Sequence, residues 1–84
     1  MARPATADQL REILEEHSLQ LQRQLGLTRV QFSLPADGKG LRIKVSVPAG
    51  EEAPIPSRME FSLHGHQVEV PLERSEDYQP YEPL

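Results

Sequence analysis

The sequence predicts a two-layer α+β fold, one N-terminal helix packed on a four-stranded antiparallel sheet in the order α-β-β-β-β. Three observations carry that reading. Apolar residues recur at helical spacing from Leu10 to Leu25 and then switch to a period of two. Two glycine-containing polar gaps, at residues 35–40 and 64–67, each divide a pair of alternating segments. Helix and strands are apolar on one side only, so their apolar surfaces should close on each other.

The helix begins at Thr6. Thr6-Ala7-Asp8-Gln9 has the spacing of a capping box, in which the threonine hydroxyl and the Gln9 amide each satisfy an otherwise unpaired backbone N–H. Leu10, Ile13, Leu14, His17, Leu21 and Leu25 then form one stripe, with Glu12, Glu15, Glu16 and Arg23 on the solvated side. Gly26 is the natural stop, because glycine enters the left-handed conformation without a Cβ penalty.

The strands follow. Val30, Phe32 and Leu34 alternate with Arg29, Gln31 and Ser33, and Leu41, Ile43, Val45 and Val47 alternate with Arg42, Lys44 and Ser46. The intervening Pro35-Ala36-Asp37-Gly38-Lys39-Gly40 supplies turn residues. After a proline-containing loop at residues 48–57, Met59, Phe61 and Leu63 pair in pattern with Val68, Val70 and Leu72 across His64-Gly65-His66-Gln67. Four strands span nearly 20 Å at about 4.8 Å spacing, whereas a helix with its side chains is about 10–12 Å across. One helix leaves part of such a sheet for the tail, a second copy or a partner to cover.

The chain divides into a flexible lead-in (residues 1–5), a single domain (6–72) and a tail (73–84). Net charge is −4. Residues 1–72 hold 8 Lys/Arg and 9 Asp/Glu, while the tail holds Arg74 against Glu73, Glu76, Asp77 and Glu82. No basic footprint of the kind that neutralises phosphates is present, which argues against nucleic acid as a partner. Phe32 and Phe61 belong to the buried set, so no stacking platform for RNA is expected. The 84 residues include no cysteine, which removes disulfides and thiolate metal sites and fits a reducing cytoplasm. No apolar run approaches the roughly 20 residues of a membrane span, and the N-terminus lacks the apolar region of a secretory signal. A cytoplasmic protein without membrane contact is expected.

Candidate chemistry is sparse. His64 and His66 flank Gly65 at a hairpin tip, and imidazole is a common metal ligand. Only Glu60 and Glu69 stand near enough to assist, so both histidines read as exposed turn residues and no metal or other cofactor is assigned. His17 lies on the helix stripe. Ser18 beside it is about 100° away around the helix, and no triad forms. Leu19 points away from the stripe. Arg29, Arg42 and Lys44 share the outer sheet face with Glu60, Ser62 and Glu69, a mixture that reads as a solvated surface more than an anion site. No phosphate loop, H-E-x-x-H or paired catalytic carboxylates occur, and the chain is not expected to be an enzyme.

The helix with Leu10, Leu14 and His17, the strand near Val30, the glycine-separated strand 41–47 and the closing Ile55-Pro56-Ser57, Gly65 and Val68-Glu69-Val70 together cover most of the domain. In that layout the chain resembles a small bacterial accessory module found ahead of trypsin-like peptidase domains, though its first strand lacks the glycines of that layout. The resemblance implies a bacterial, non-catalytic accessory or regulatory domain and carries no site residues over.

The expected function is therefore protein–protein interaction, through the tail, an uncovered sheet surface or both. Tyr78, Tyr81 and Leu84 would be apolar anchors, and Glu76, Asp77 and Glu82 would steer toward a basic partner surface. A homodimeric structural role is the alternative, and a metal-dependent function through the His64/His66 turn comes third.

Overall fold

The computed structural model describes residues 2–52 and 54–78. The elements in chain order are β1 (Arg3–Pro4), α1 (Ala7–Glu16), α2 (Ser18–Leu25), β2 (Gln31–Ser33), β3 (Ile43–Ser46), β4 (Arg58–Leu63) and β5 (His66–Ser75). The α+β class holds. The single helix and the purely antiparallel four-stranded sheet do not: there are two helices and a mixed sheet of five strands.

Both hairpins form. β2 and β3 are antiparallel, with Phe32 opposite Val45. β4 and β5 are antiparallel from Arg58–Pro71 to Leu63–His66. They join through the two residues His64 (φ 52°) and Gly65 (φ 79°), the paired positive φ values of a type I′ turn, whose twist matches that of the strands.

The departure lies in how the hairpins meet. β3 does not pair with the next strand in sequence but runs parallel to β5, Ile43 opposite Leu72 and Ser46 opposite Ser75. The loop at residues 47–57 is long enough to carry the chain across the place β5 will fill, so that β5 inserts between β3 and β4. The expected lead-in contributes as well. Arg3 and Pro4 pair in parallel with Val68 and Glu69, and the Ala5 N–H donates to the Glu69 carbonyl at 3.0 Å. The Glu69 and Ser75 carbonyls, an even number of residues apart, accept from Ala5 and Val47 respectively. β1 and β3 therefore succeed one another along one edge of β5, and β4 occupies the other. Proline in a central strand normally costs a ladder bond. By the same alternation the Pro71 nitrogen faces the seam where β1 has ended and β3 is starting.

The helical region wraps this sheet in two pieces. Thr6 caps α1 with the full capping box: its Oγ1 accepts from Gln9 N–H at 3.2 Å, and its own N–H donates to Gln9 Oε1 at 2.9 Å. His17 (φ −129°, ψ 19°) breaks the helix without breaking its bonding, since its N–H donates to Ile13 and its carbonyl accepts from Leu21. Its ring lies 6.0 Å from that of Phe61. Gly26 (φ 70°) ends α2 as expected.

Leu10 and Ile13 of α1 and Leu21 of α2 are fully buried and belong to the same core cluster as the sheet residues. Ala5 and Leu27 extend the cover, and Ile55, Met59 and Leu34 pack at its margins. The sheet residues Ile43, Val45, Phe61, Leu63, Val68, Val70 and Leu72 are all buried as a result. Most of the apolar sheet face expected to remain open is covered within the monomer, with Phe32 of β2 and Met59 of β4 half-buried. Leu41, assigned by alternation to the core side, is 56% exposed, because β3 begins only at Ile43.

Phe61 is fully buried and central. We expect Phe61→Ala to remove about 3–5 kcal/mol, a large share of the roughly 4–13 kcal/mol usual for this length. Gly65→Ala meets no neighbouring atom, so only the left-handed backbone resists it. It should cost about 1 kcal/mol, read as a lower urea midpoint. An unchanged midpoint would contradict the type I′ turn.

Candidate functional site

The described part of the tail is built into the domain. Glu73 and Ser75 belong to β5 itself, extending the ordered structure past the boundary drawn at Leu72. Beyond it, Val47 N–H donates to the Ser75 carbonyl at 2.8 Å, and Tyr78 N–H returns to the Val47 carbonyl at 3.2 Å. Asp77 accepts from Lys44 Nζ at 2.6 Å, and the Ser46 and Ser75 hydroxyls also bond its carboxylate. These contacts, the Lys44 bond first, hold the Asp77 carboxyl below its usual range. Glu76 lies 3.5 Å from Arg74. Two of the three expected steering acids are thus engaged by the chain's own cations. Glu82, with Tyr81 and Leu84, falls outside the described residues.

Tyr78 is different in kind. It is half-buried and lines a groove of about 380 Å³ with Arg29, Pro48 and Ala49. The groove lies beside the start of β2, which ends the sheet on that side.

The cations of the outer face are spent in the same way. Arg42 grips Asp37 with both terminal nitrogens, Nη2 to Oδ2 at 2.7 Å and Nη1 to Oδ1 at 3.1 Å. Its Nε donates to Glu73 at 2.6 Å, tying the β2–β3 loop to β5. Asp37 also accepts from the Lys39 N–H. The Arg42 bonds, with that backbone bond second, lower the Asp37 carboxyl below its ordinary 3.8, and Asp37 and Glu73 raise the guanidinium further. With Arg42 and Lys44 both committed, the anion site considered with Arg29 does not assemble.

The two turn histidines part company. His66 faces a cleft of about 540 Å³ between β1, the start of α1 and β5, lined also by Arg3, Thr6 and Gln9. His64 folds toward α1, where its Nε2 bonds the Glu12 carboxylate in a very short contact. Of the two acids considered as possible helpers, Glu60 and Glu69, the latter is bonded to Arg58.

The Glu12 carboxylate has a second neighbour, His17 Nε2 at 3.9 Å. Glu16 completes the group, and the ligand atoms of Glu12, Glu16 and His17 all lie within 4.8 Å of one another. Sequence reading placed Glu12 and Glu16 on the solvated face and His17 on the core stripe. The signal was present as Glu-x-x-x-Glu-His, since residues four apart share a helix face. What sequence could not supply was the hairpin tip that brings His64 onto the same spot.

Comparisons with family models, with curated proteins and with solved structures give no match. No described helix is long and apolar enough to cross a membrane.

A carboxylate whose native pKa is lowered stabilises the fold above its unfolded value and loses that contribution as pH falls toward the native one. Asp37 and Asp77 should therefore add an acid-sensitive component below about pH 3.8. We expect Asp77→Asn to flatten the fall of Tm with pH in that region while changing the neutral-pH slope little. An unchanged acid limb would show that the Lys44–Asp77 pair does not persist in solution.

Proposed function

We propose that this is a bacterial, cytoplasmic, non-catalytic accessory domain that binds another protein at the end of the sheet where the tail departs. The observation that carries the reading is Tyr78. Its backbone is fixed by Val47, its neighbour Asp77 is fixed by Lys44, and it lines an open groove with Arg29. Tyrosine in such a setting offers a rigid apolar body and a polar tip, a combination enriched at protein interfaces. The short edge strand β2 beside it adds backbone groups on which an extended segment can pair. The layout resemblance to accessory modules ahead of trypsin-like peptidase domains supports the same class of role.

The described tail residues act here by placement more than by charge steering, because Glu76 and Asp77 face the chain's own cations. Tyr81, Glu82 and Leu84 follow Tyr78 in sequence and extend the proposed contact.

The test is affinity capture from the native host on three baits: the full chain, Tyr78→Ala, and a chain ending at Tyr78. A discrete protein held by the full chain, weakened by Tyr78→Ala and by truncation, with thermal unfolding nearly unchanged, supports the reading. Equal capture by all three would move the contact away from this end. Dimerisation by light scattering at micromolar concentration, abolished by the same substitution, would replace it with the homodimeric alternative.

A further inference from the structure

We propose that Glu12, Glu16 and His17 bind a single divalent transition-metal ion of the zinc class, with His64 hydrogen-bonded to the Glu12 carboxylate. This site is separate from the Tyr78 groove and does not depend on it.

The first argument is geometric. Zinc bonds to imidazole nitrogen and carboxylate oxygen are about 2.0–2.2 Å long, so two ligands of one ion lie at most about 4.2 Å apart. His17 Nε2 and Glu12 Oε2 stand 3.9 Å apart, too far for a hydrogen bond and within reach of a common ion. The full group closes to within 4.8 Å. A four-coordinate ion holds its ligand atoms about 3.4 Å apart, and the exposed Glu16 side chain is placed to swing inward to that spacing.

The second argument concerns an unsatisfied atom. His17 Nε2 is shut off from solvent and has no hydrogen-bond partner among the described residues. A buried polar atom without a partner is costly, and this one is turned toward two carboxylates. A cation between them satisfies the nitrogen as a lone-pair donor.

Electrostatics supply the third. Glu12, Glu15 and Glu16 crowd the end of α1, whose last turn holds no basic residue. Among the described residues the ion pairs of Glu12 are with His17 and His64, and no Lys or Arg pairs with Glu16. A divalent ion offsets the charge of the clustered carboxylates.

The donor set selects the ion. One imidazole and two carboxylates without thiolate suit zinc and its first-row neighbours. Mg²⁺ favours all-oxygen octahedral surroundings and would be bound poorly. The His64–Glu12 bond matches the outer hydrogen bonds that orient ligating groups in metal sites. An ion so placed joins the break between α1 and α2 to the tip of the β4–β5 hairpin, and the three protein ligands leave a position open to water.

The experiment is calorimetric titration of the untagged, chelator-stripped full chain with zinc chloride, with magnesium chloride in parallel. One zinc per chain, no magnesium heat and a higher Tm with zinc are expected. Glu16→Gln, exposed and near-neutral for helix propensity, should lose most of the zinc heat while keeping its circular dichroism. Glu12→Gln should do the same, and His66→Ala should bind as the parent does. Absence of zinc heat in the parent chain would overturn the proposal, as would undiminished binding by both glutamine variants. Loss confined to His66→Ala would relocate the metal to the His64/His66 turn and equally overturn it.

Discussion

Three of the four strand pairings in this domain run through β5, which is bonded along both of its edges. β4 takes one edge, and β1 and β3 take successive lengths of the other. A strand bonded on both sides cannot slip by one residue without moving Val68, Val70 and Leu72 from the core to the opposite face. The register of β5 thus positions the hairpin tip at its start and the tail at its end. Pro71 fits only because its missing N–H points at the seam between β1 and β3.

The helices answer to that strand. A single helix is narrower than the sheet, and here the helical region is divided at His17 into two segments that both contribute buried residues. The break keeps both of His17's backbone hydrogen bonds, to Ile13 and from Leu21. It also leaves His17 with its ring against Phe61 and its Nε2 against Glu12. Core geometry and the polar cluster thereby share one residue. Burial of Phe61 dominates the energetics there, since a large core aromatic outweighs any exposed ion pair severalfold.

Local signals in the sequence were reliable wherever one residue and its near neighbours decide the outcome. The Thr6 capping box, the Gly26 stop, the glycine turn at His64-Gly65 and, apart from Leu41, the pairing of both hairpins stand in the structure. Non-local pairing was not legible. Nothing in Arg3-Pro4 marks a strand, because two residues carry no period, and nothing in residues 47–57 says that β5 will enter between β3 and β4. The break at His17 lacks the proline or glycine that would announce it. The same limit governs the candidate sites. Asp77 and Glu76 looked available because Lys44 and Arg74 were not known to be beside them, and the Glu12–His64 contact joins residues far apart in the chain.

The charge pattern acquires a use once the pairing is known. Arg42, Lys44 and their carboxylate partners fasten the loop before β3 and the segment after β5 to the same end of the sheet. Tyr78 is held at a groove as a consequence, and the acid–histidine cluster is held at the opposite end of β5 by its hairpin. Both proposed sites are thus by-products of one strand's placement. Amide hydrogen exchange followed residue by residue tests that placement most directly. The N–H groups of Ala5, Val47 and Tyr78, which bond Glu69, Ser75 and Val47, should exchange slowly, with Ala5 and Val47 approaching the rate set by global unfolding. Exchange of Ala5 and Val47 at the rate of an unstructured peptide would contradict the parallel pairing and restore a simple antiparallel meander.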